Sequence, residues 1–350
     1  MSRRKAKFLF NIILIIIPFL FFILLEFSLR IFDYGIDNST WIKINNTHYG
    51  LNPKVASRYF NNEKNIPEPI QDVFAINKKP KTYRIFVVGG SSAAGFPYMP
   101  LGSFSRYIRQ RLEQNYPEIN IEVVNLGLSA VNSYTILDLI TDVLEQEPDL
   151  ILIYAGHNEY YGALGVASME SFGRSRSIVN LIIELNKYKV TQLVRNIIGG
   201  IMSIFSVTSN SPSGTLMSRM AENKTIEIDS EIYWQGLEQF EENMTDILKL
   251  VKDKKVPVII STIVSNLKDQ MPFNSNANTG ANRVYSQARK EINFNNLTAA
   301  DSLFRLAKDL DQIRFRAPEK INEIIKKLGE QFNVPILESE KVLNQISPCH

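Results

Sequence analysis

The sequence contains few of the residues on which most catalytic and metal sites depend. Among its 350 residues there is one cysteine, Cys349, and there are three histidines, His48, His157 and His350. A single cysteine excludes an internal disulfide bond and a cysteine-rich metal site. The sequence therefore predicts no bound metal, and a catalytic histidine would have to be one of these three.

An excess of charge of either sign is also lacking. The chain has 39 Lys and Arg residues against 36 Asp and Glu residues, a formal net charge of +3. Such a balance gives no electrostatic reason to expect nucleic acid as a partner. Hydrophobic residues make up 45% of the chain and charged residues 21%, which excludes an intrinsically disordered protein. The length is sufficient for one large domain or two small ones.

A long apolar run lies near the amino terminus. Residues 2–7 contain four Lys or Arg residues, and in residues 8–25 only Asn11 and Pro18 interrupt the run of Phe, Leu and Ile. An 18-residue helix is about 27 Å long, close to the thickness of the bilayer hydrocarbon core. Basic residues before it favour a cytoplasmic amino terminus. We expect residues 1–32 to form a basic tip and an uncleaved transmembrane anchor; a cleaved signal peptide and a buried core helix are the alternatives.

The rest of the chain divides into a linker and a domain. Residues 33–82 are polar and rich in turn residues, with scattered aromatic residues, and predict an extended linker that packs on the domain. Residues 83–350 predict the domain itself, with helical insertions at 160–230 and 280–312. Part of the second insertion resembles half of a tetratricopeptide unit, but without a second copy an ordinary helical hairpin is predicted.

Short apolar runs alternate with segments of helical periodicity within the domain. The predicted strands are 84–88, 121–124, 150–154, 256–262 and 334–337, and the predicted helices between them are 103–115, 134–146, 232–253 and 318–332. Strands that alternate with helices indicate an α/β fold with a parallel sheet and right-handed crossovers. In such sheets the ligand site lies beyond the carboxyl ends of the strands.

Segments of small and polar residues follow the first three predicted strands. They read Gly89-Gly90-Ser91-Ser92-Ala93-Ala94-Gly95, Asn125-Leu126-Gly127-Leu128-Ser129-Ala130 and Gly156-His157-Asn158-Glu159. A serine on a small-residue turn after a strand suits a nucleophile, because its hydroxyl must be accessible for attack. An asparagine at a neighbouring strand end can donate a hydrogen bond to a developing oxyanion. The first segment lacks the glycine patterns of a phosphate loop or a dinucleotide site, so no cofactor is predicted.

Together, and in this order, these segments resemble the SGNH/GDSL hydrolase family. The most specific evidence is the joint occurrence of Val87-Val88-Gly89-Gly90-Ser91 and Tyr154-Ala155-Gly156-His157-Asn158-Glu159, and the resemblance covers about residues 83–163. It implies a flavodoxin-like three-layer α/β/α fold with a five-stranded parallel sheet. It also implies hydrolysis of an ester or acyl group without a metal.

The resemblance implies a role for each matched residue. Ser91 falls on the nucleophile, with its own N–H contributing to the oxyanion hole, and Asn158 falls on the asparagine that donates to the oxyanion. The backbone donor of the second segment matches Ala130 if Asn125 is aligned with the family's asparagine, and Gly127 is the alternative placement.

Other residues of the matched segments are expected to line the site. They are Gly90, Ser92, His157 and Glu159. Gly90 and Glu159 stand where the family has aspartates, which indicates a divergent subfamily. His157 occupies a variable position of the third segment, and we interpret it as a site-lining or structural residue, not as the base.

The family's general base is a histidine in Asp-x-x-His after the fifth strand, where the aspartate orients the ring. In this chain no aspartate lies three residues before any histidine: positions 45, 154 and 347 are Asn, Tyr and Ser. We therefore expect the base block to be missing, the chain to be part of a longer protein, and its activity to be very low. The alternatives are that His350 is an atypical base, or that the domain is naturally non-catalytic.

The sequence thus predicts a membrane-anchored, extracytoplasmic serine esterase whose substrate is an ester-bearing small molecule, glycan or lipid. The alternative from another class is a non-catalytic, membrane-anchored scaffold that binds glycan or protein. Residues 178–206, because of their apolar content, are a candidate lid or bilayer-facing element.

Overall fold

The computed structural model describes residues 3–60, 65–168, 175–205, 225–273 and 280–347. The strands within these residues are β1 (Trp41–Lys43), β2 (His48–Leu51), β3 (Val73–Ala75), β4 (Thr82–Gly89), β5 (Asn120–Asn125), β6 (Leu150–Tyr154), β7 (Val258–Ser261) and β8 (Ile336–Leu337). The helices are α1 (Arg3–Ile31), α2 (Ser91–Ala94), α3 (Phe104–Asn115), α4 (Ser133–Leu144), α5 (Arg176–Asn186), α6 (Lys189–Phe205), α7 (Glu231–Asp253), α8 (Gly280–Asn293), α9 (Leu297–Leu310), α10 (Glu319–Phe332) and α11 (Ser339–Ile346).

The last five strands form one parallel sheet in the order β5-β4-β6-β7-β8. Numbered within the sheet, this order is 2-1-3-4-5, that of flavodoxin-like folds. The predicted α/β class and five-stranded parallel sheet are therefore confirmed. Val87 pairs with Asn125 and Gly89 with Tyr154, so the carboxyl ends of β4, β5 and β6 lie side by side.

The two faces of the sheet are covered by different helices. Along β4, Phe86 and Val88 point into the main core, which is completed by apolar residues of α4, α7 and α10. Ile85 and Val87 point to the opposite face, where α3 packs. Apolar residues on both faces explain why the strand reads as an uninterrupted apolar run instead of an alternating one.

Residues 33–60 and 65–82 pack on this core and contain an antiparallel sheet, β1-β2-β3, which the sequence did not predict. Phe74 of β3 lies edge-on against Trp41 and Phe86, with ring centroids 5.0 and 5.4 Å away. The buried Arg84 guanidinium stacks on Phe74 at 4.8 Å and pairs with Glu122 at 2.6 Å. Strands of three or four residues are too short to show an alternation that sequence reasoning can detect.

The second insertion forms the predicted helical hairpin. Helices α8 and α9 pack around a small separate core of Leu267, Ala288, Ala300 and Phe304. The first insertion contains α5 and α6, and the remainder of it lies partly outside the described residues.

Helix α1 extends over 29 residues and includes Pro18. Counting only the parts of the chain that the structure describes, no helix combines the length and hydropathy needed to cross a membrane. The anchor expected at residues 1–32 remains a prediction.

Candidate active site

A narrow cleft lies where the carboxyl ends of β4 and β6 meet the start of α4. Its volume is about 10 Å³, room for about one water molecule. It is lined by Gly90, Ser91, Ser92, Val131, Asn132, Ile136, Tyr154, Ala155, Gly156, His157, Asn158 and Glu159. The structure therefore brings together the predicted residues of the first and third segments. The sequence did not predict that Asn132 and Tyr154 line the cleft. Tyr154 is the last residue of β6 and Asn132 directly precedes α4, and these positions at element ends were the signal that could have identified them.

Ser91 is the first residue of α2, directly after the extended Gly90. Glycine is required just before this turn, because a Cβ on Gly89 would lie 2.1 Å from the Tyr154 carbonyl oxygen. Two backbone N–H groups, of Gly95 and Phe96, donate to the Ser91 carbonyl at 3.0 Å and hold the turn. Within the described residues no group is hydrogen-bonded to Ser91 Oγ, so the half-buried hydroxyl is available to a ligand.

The side chain of Asn158 lies beside the serine turn. A Cβ built on Gly90 would be 3.1 Å from Asn158 Nδ2, so glycine at this position leaves room for the amide. Asn158 is only 7% exposed, and its amide makes no hydrogen bond to any described residue. The amide is not among the fully buried side-chain groups that lack a partner, so it is accessible from the cleft. An accessible amide without a protein partner, beside a serine, is suited to donate to a ligand oxygen.

The structure distinguishes between the two placements of the second backbone donor. The Gly127 N–H donates to Asn125 Oδ1 at 2.8 Å and is therefore occupied. Ala130 has a φ of +55°, a left-handed conformation that favours glycine. No described residue accepts a hydrogen bond from the Ala130 N–H. This geometry favours Ala130, which directly precedes the cleft residue Val131.

Asn125 itself is fully buried and links three elements. The two hydrogens of its Nδ2 are shared among three acceptors, the Ala93 carbonyl at 2.8 Å, Ser103 Oγ at 2.8 Å and Ser105 Oγ at 3.0 Å. Its backbone N–H donates to Asp72 at 2.9 Å. Asn125 thus positions the helix that begins with Ser91, a role that its place in a motif did not reveal.

His157 is held by the backbone at both ring nitrogens. Nε2 lies 3.0 Å from the Val264 carbonyl oxygen, and Nδ1 accepts from the Ala317 N–H at 3.2 Å. Burial, with a smaller contribution from nearby Lys308, lowers the pKa of His157 to about 4. The ring is therefore neutral at pH 7, donates through Nε2 and has no free nitrogen with which to deprotonate Ser91.

Of the other two histidines, the structure describes only His48, and it is not in contact with Ser91. His48, the first residue of β2, has its Nδ1 2.8 Å from Oγ1 of the neighbouring Thr47. His350 lies outside the described residues. Neither of the two described histidines is hydrogen-bonded to Ser91.

Glu159 lines the cleft, but its carboxylate is directed to the helices behind it. It accepts from the Ser133 N–H at 3.0 Å, from Ser133 Oγ at 2.7 Å and from Gln239 Nε2 at 3.2 Å. Burial raises the pKa of this fully buried carboxyl to about 7. Glu159 therefore connects the β6 loop to α4 and α7, and its contacts are those of a structural residue.

We expect Glu159 to give the folded protein a measurable pH dependence. With a pKa raised from 4.5 to about 7, the folded state retains a proton that the unfolded chain has already released. The free energy of unfolding should therefore fall by roughly 3 kcal/mol as the pH rises from about 4.5 to 7. Urea unfolding of Glu159→Gln should show a flatter profile over that range. A profile as steep as that of the unmodified protein would assign the effect to other groups.

No protein-family model and no curated protein matches this chain. Among solved structures, a GDSL-like lipase from Parabacteroides merdae is 12% identical, with 78% of this chain and 85% of that chain covered and a TM-score of 0.38. Axe2, an acetylxylan esterase from Geobacillus stearothermophilus, is 14% identical, with 75% and 79% covered and a TM-score of 0.36. AlinE4, an SGNH-hydrolase family esterase, is 12% identical, with 76% and 81% covered and a TM-score of 0.35.

Proposed function

We propose that this protein is a serine ester hydrolase of the SGNH type. The observation that carries the proposal is the amide of Asn158, which makes no hydrogen bond to a described residue and lies beside the turn that presents Ser91. A free hydroxyl and a free amide donor in one cleft are what acyl transfer needs: a nucleophile and a group that stabilises the oxyanion.

In the proposed reaction, Ser91 Oγ attacks the ester carbonyl carbon while its proton passes to a base. The carbonyl oxygen becomes an oxyanion, stabilised by the Ser91 N–H, the Ala130 N–H and Asn158 Nδ2. Collapse breaks the bond to the alcohol, which leaves with a proton, and the acyl group stays on Ser91. Water then attacks this acyl-enzyme and releases the acid. The base is neither His48 nor His157, and in the test below added imidazole takes its place.

We further propose that the protein is anchored in a membrane by residues 8–25, with the domain outside the cytoplasm. The support is the apolar run of the sequence and the high exposure of its described side chains, such as Phe19 at 68% and Ile23 at 64%. A surface location makes acylated glycans or lipids the proposed substrates.

The proposal is tested by hydrolysis of p-nitrophenyl acetate with imidazole added as an external base. A positioned base contributes about 10²–10⁴-fold to such reactions. We expect imidazole to raise the rate of the unmodified protein at least about tenfold above that of Ser91→Ala, and acetyl-Ser91 to be detectable by mass spectrometry. Equal rates for the two proteins at every imidazole concentration would show that Ser91 is not the nucleophile.

A second candidate function is a non-catalytic domain that binds glycan or protein. It is favoured by one observation: neither described histidine is hydrogen-bonded to Ser91. In that case Ser91 remains unacetylated in the same experiment.

A further inference from the structure

A large pocket opens beside the cleft, on the α3 side of the sheet. Its volume is about 560 Å³, which is within the range of sites that bind small molecules, whereas the cleft itself has room for about one water molecule. Ser92 and Tyr154 line both the pocket and the cleft. Because Ser92 directly follows the proposed nucleophile Ser91, the pocket begins one residue away from the reacting hydroxyl.

The floor of the pocket is the half of this sheet face that α3 leaves open. Helix α3 packs mainly on β4 and β5. Leu152 of β6 pairs in register with Ile259 of β7, and both side chains are half-buried. Leu337 of β8 is 54% exposed. Phe104 of α3 and Leu343 of α11 lie at the sides of the pocket. An apolar surface therefore continues from the cleft across three strands.

The lining indicates an apolar ligand. Among the described residues that line the pocket, none carries a charged side chain. Two of its three serines, Ser261 and Ser339, are hydrogen-bonded to each other at 2.7 Å. A sugar needs several free polar partners, because a buried hydroxyl group without a hydrogen bond is costly. A hydrocarbon chain needs none, and its transfer from water to such a pocket is favourable.

Tyr154, which lines both spaces, is held at both ends of its side chain. Its ring lies edge-on against Phe104, with centroids 5.9 Å apart, and its hydroxyl accepts from the Val264 N–H at 3.2 Å. The side chain is therefore fixed before any ligand arrives. A preformed wall lowers the cost of binding, since no side chain has to be ordered there.

We propose that this pocket binds the apolar acyl chain of the ester whose carbonyl carbon is attacked by Ser91. The chain passes Ser92 and Tyr154 and lies along Leu152 and Ile259. This inference rests on the proposed function, and it narrows the substrates to esters of apolar acids longer than acetate.

The test compares acyl transfer to Ser91 from p-nitrophenyl octanoate and from p-nitrophenyl acetate. Imidazole serves as the external base, both esters are kept below micelle-forming concentrations, and each rate is referred to that of Ser91→Ala. Burial of one methylene favours binding about fourfold, so two buried methylenes already give about tenfold or more. We expect octanoyl transfer to be at least about tenfold faster than acetyl transfer.

Leu337→Glu places a charge in the pocket without altering a residue proposed to act in catalysis. We expect it to slow octanoyl transfer by about tenfold or more and to leave acetyl transfer unchanged. Leu306→Glu is the matched control. Leu306 lies on α9, is 45% exposed and does not line the pocket, so neither rate should change.

A decanoic acid with a terminal diazirine tests binding without catalysis. On illumination it should label peptides that contain Leu152, Ile259 or Leu343, in the unmodified protein and in Ser91→Ala alike. The same peptides should be labelled much less in Leu337→Glu, and equally in Leu306→Glu.

The outcomes separate this inference from the proposed function. Acetyl transfer to Ser91 that is as fast as octanoyl transfer overturns the acyl pocket and leaves the proposed function intact. Labelling of the pocket without acylation of Ser91 by either ester overturns the proposed function and the acyl assignment with it. If the pocket is not labelled and a thiol introduced by Leu337→Cys, with Cys349→Ser, resists modification, a protein segment covers the pocket and the inference is overturned.

Discussion

Replacing Asp138 with alanine is expected to lower the free energy of unfolding by about 3–5 kcal/mol, because it leaves buried positive charge without its partner. Asp138 pairs with Arg58 at 2.8 Å and with Lys187 at 2.6 Å, and it accepts from the Tyr59 hydroxyl at 2.6 Å. These contacts join residues 33–82, α4 and the α5–α6 hairpin. Urea unfolding measures the loss.

Asp142 provides the matched control. It lies one turn further along α4, is more exposed, and its carboxylate is 3.8 Å from Arg58. Its carboxylate also accepts from the Thr40 hydroxyl, so we expect its loss to cost about 1–2 kcal/mol, clearly less than that of Asp138. If Asp142→Ala destabilised the protein as much as Asp138→Ala, the buried network would not be the cause.

The pH dependence of this network follows from the pKa of Asp138. Burial alone would raise that pKa, but the charges of Arg58 and Lys187 outweigh burial and hold it below its ordinary value of 3.8. A carboxyl whose pKa is lower in the folded state stabilises the protein above the unfolded value. The contribution is therefore complete at neutral pH and is lost as the pH falls below about 4 and through the folded pKa.

Replacing Asn158 with alanine is expected to reduce the imidazole-dependent acetylation of Ser91 by about 10²–10³-fold, the usual effect of removing one oxyanion donor. The stability should change by less than about 1 kcal/mol, because the amide makes no hydrogen bond to a described residue that would be lost. Rate and unfolding are measured on the same preparation.

Asn132→Ala is the comparison within the same cleft, because Asn132 Nδ2 is also an amide group without a partner among the described residues. Asn132 caps α4 by accepting from the Tyr134 N–H at 3.2 Å, so its loss should cost about 1 kcal/mol of stability. The acetylation rate should change far less than in Asn158→Ala. Similar rate losses in both variants would mean that the cleft responds to general disturbance and that Asn158 has no special role.

The sequence determined the elements of the domain and the location of the candidate site. Strands buried on both faces, such as β4 and β6, appear as short apolar runs, and helices that cover them, such as α4 and α10, repeat apolar residues at helical spacing. Because the carboxyl ends of parallel strands share one edge, Ser91 and Asn158 could be placed together without coordinates.

Only the tertiary structure decided which groups are free to act. The Gly127 N–H is taken by Asn125, both ring nitrogens of His157 are taken by backbone groups, and Glu159 is directed to Ser133. These facts depend on contacts between residues far apart in the chain or on local backbone geometry. Residue type and periodicity encode neither the contacts nor the geometry. The scarcity of histidine was plain from the sequence; that His157 cannot serve as the base follows from its partners in space.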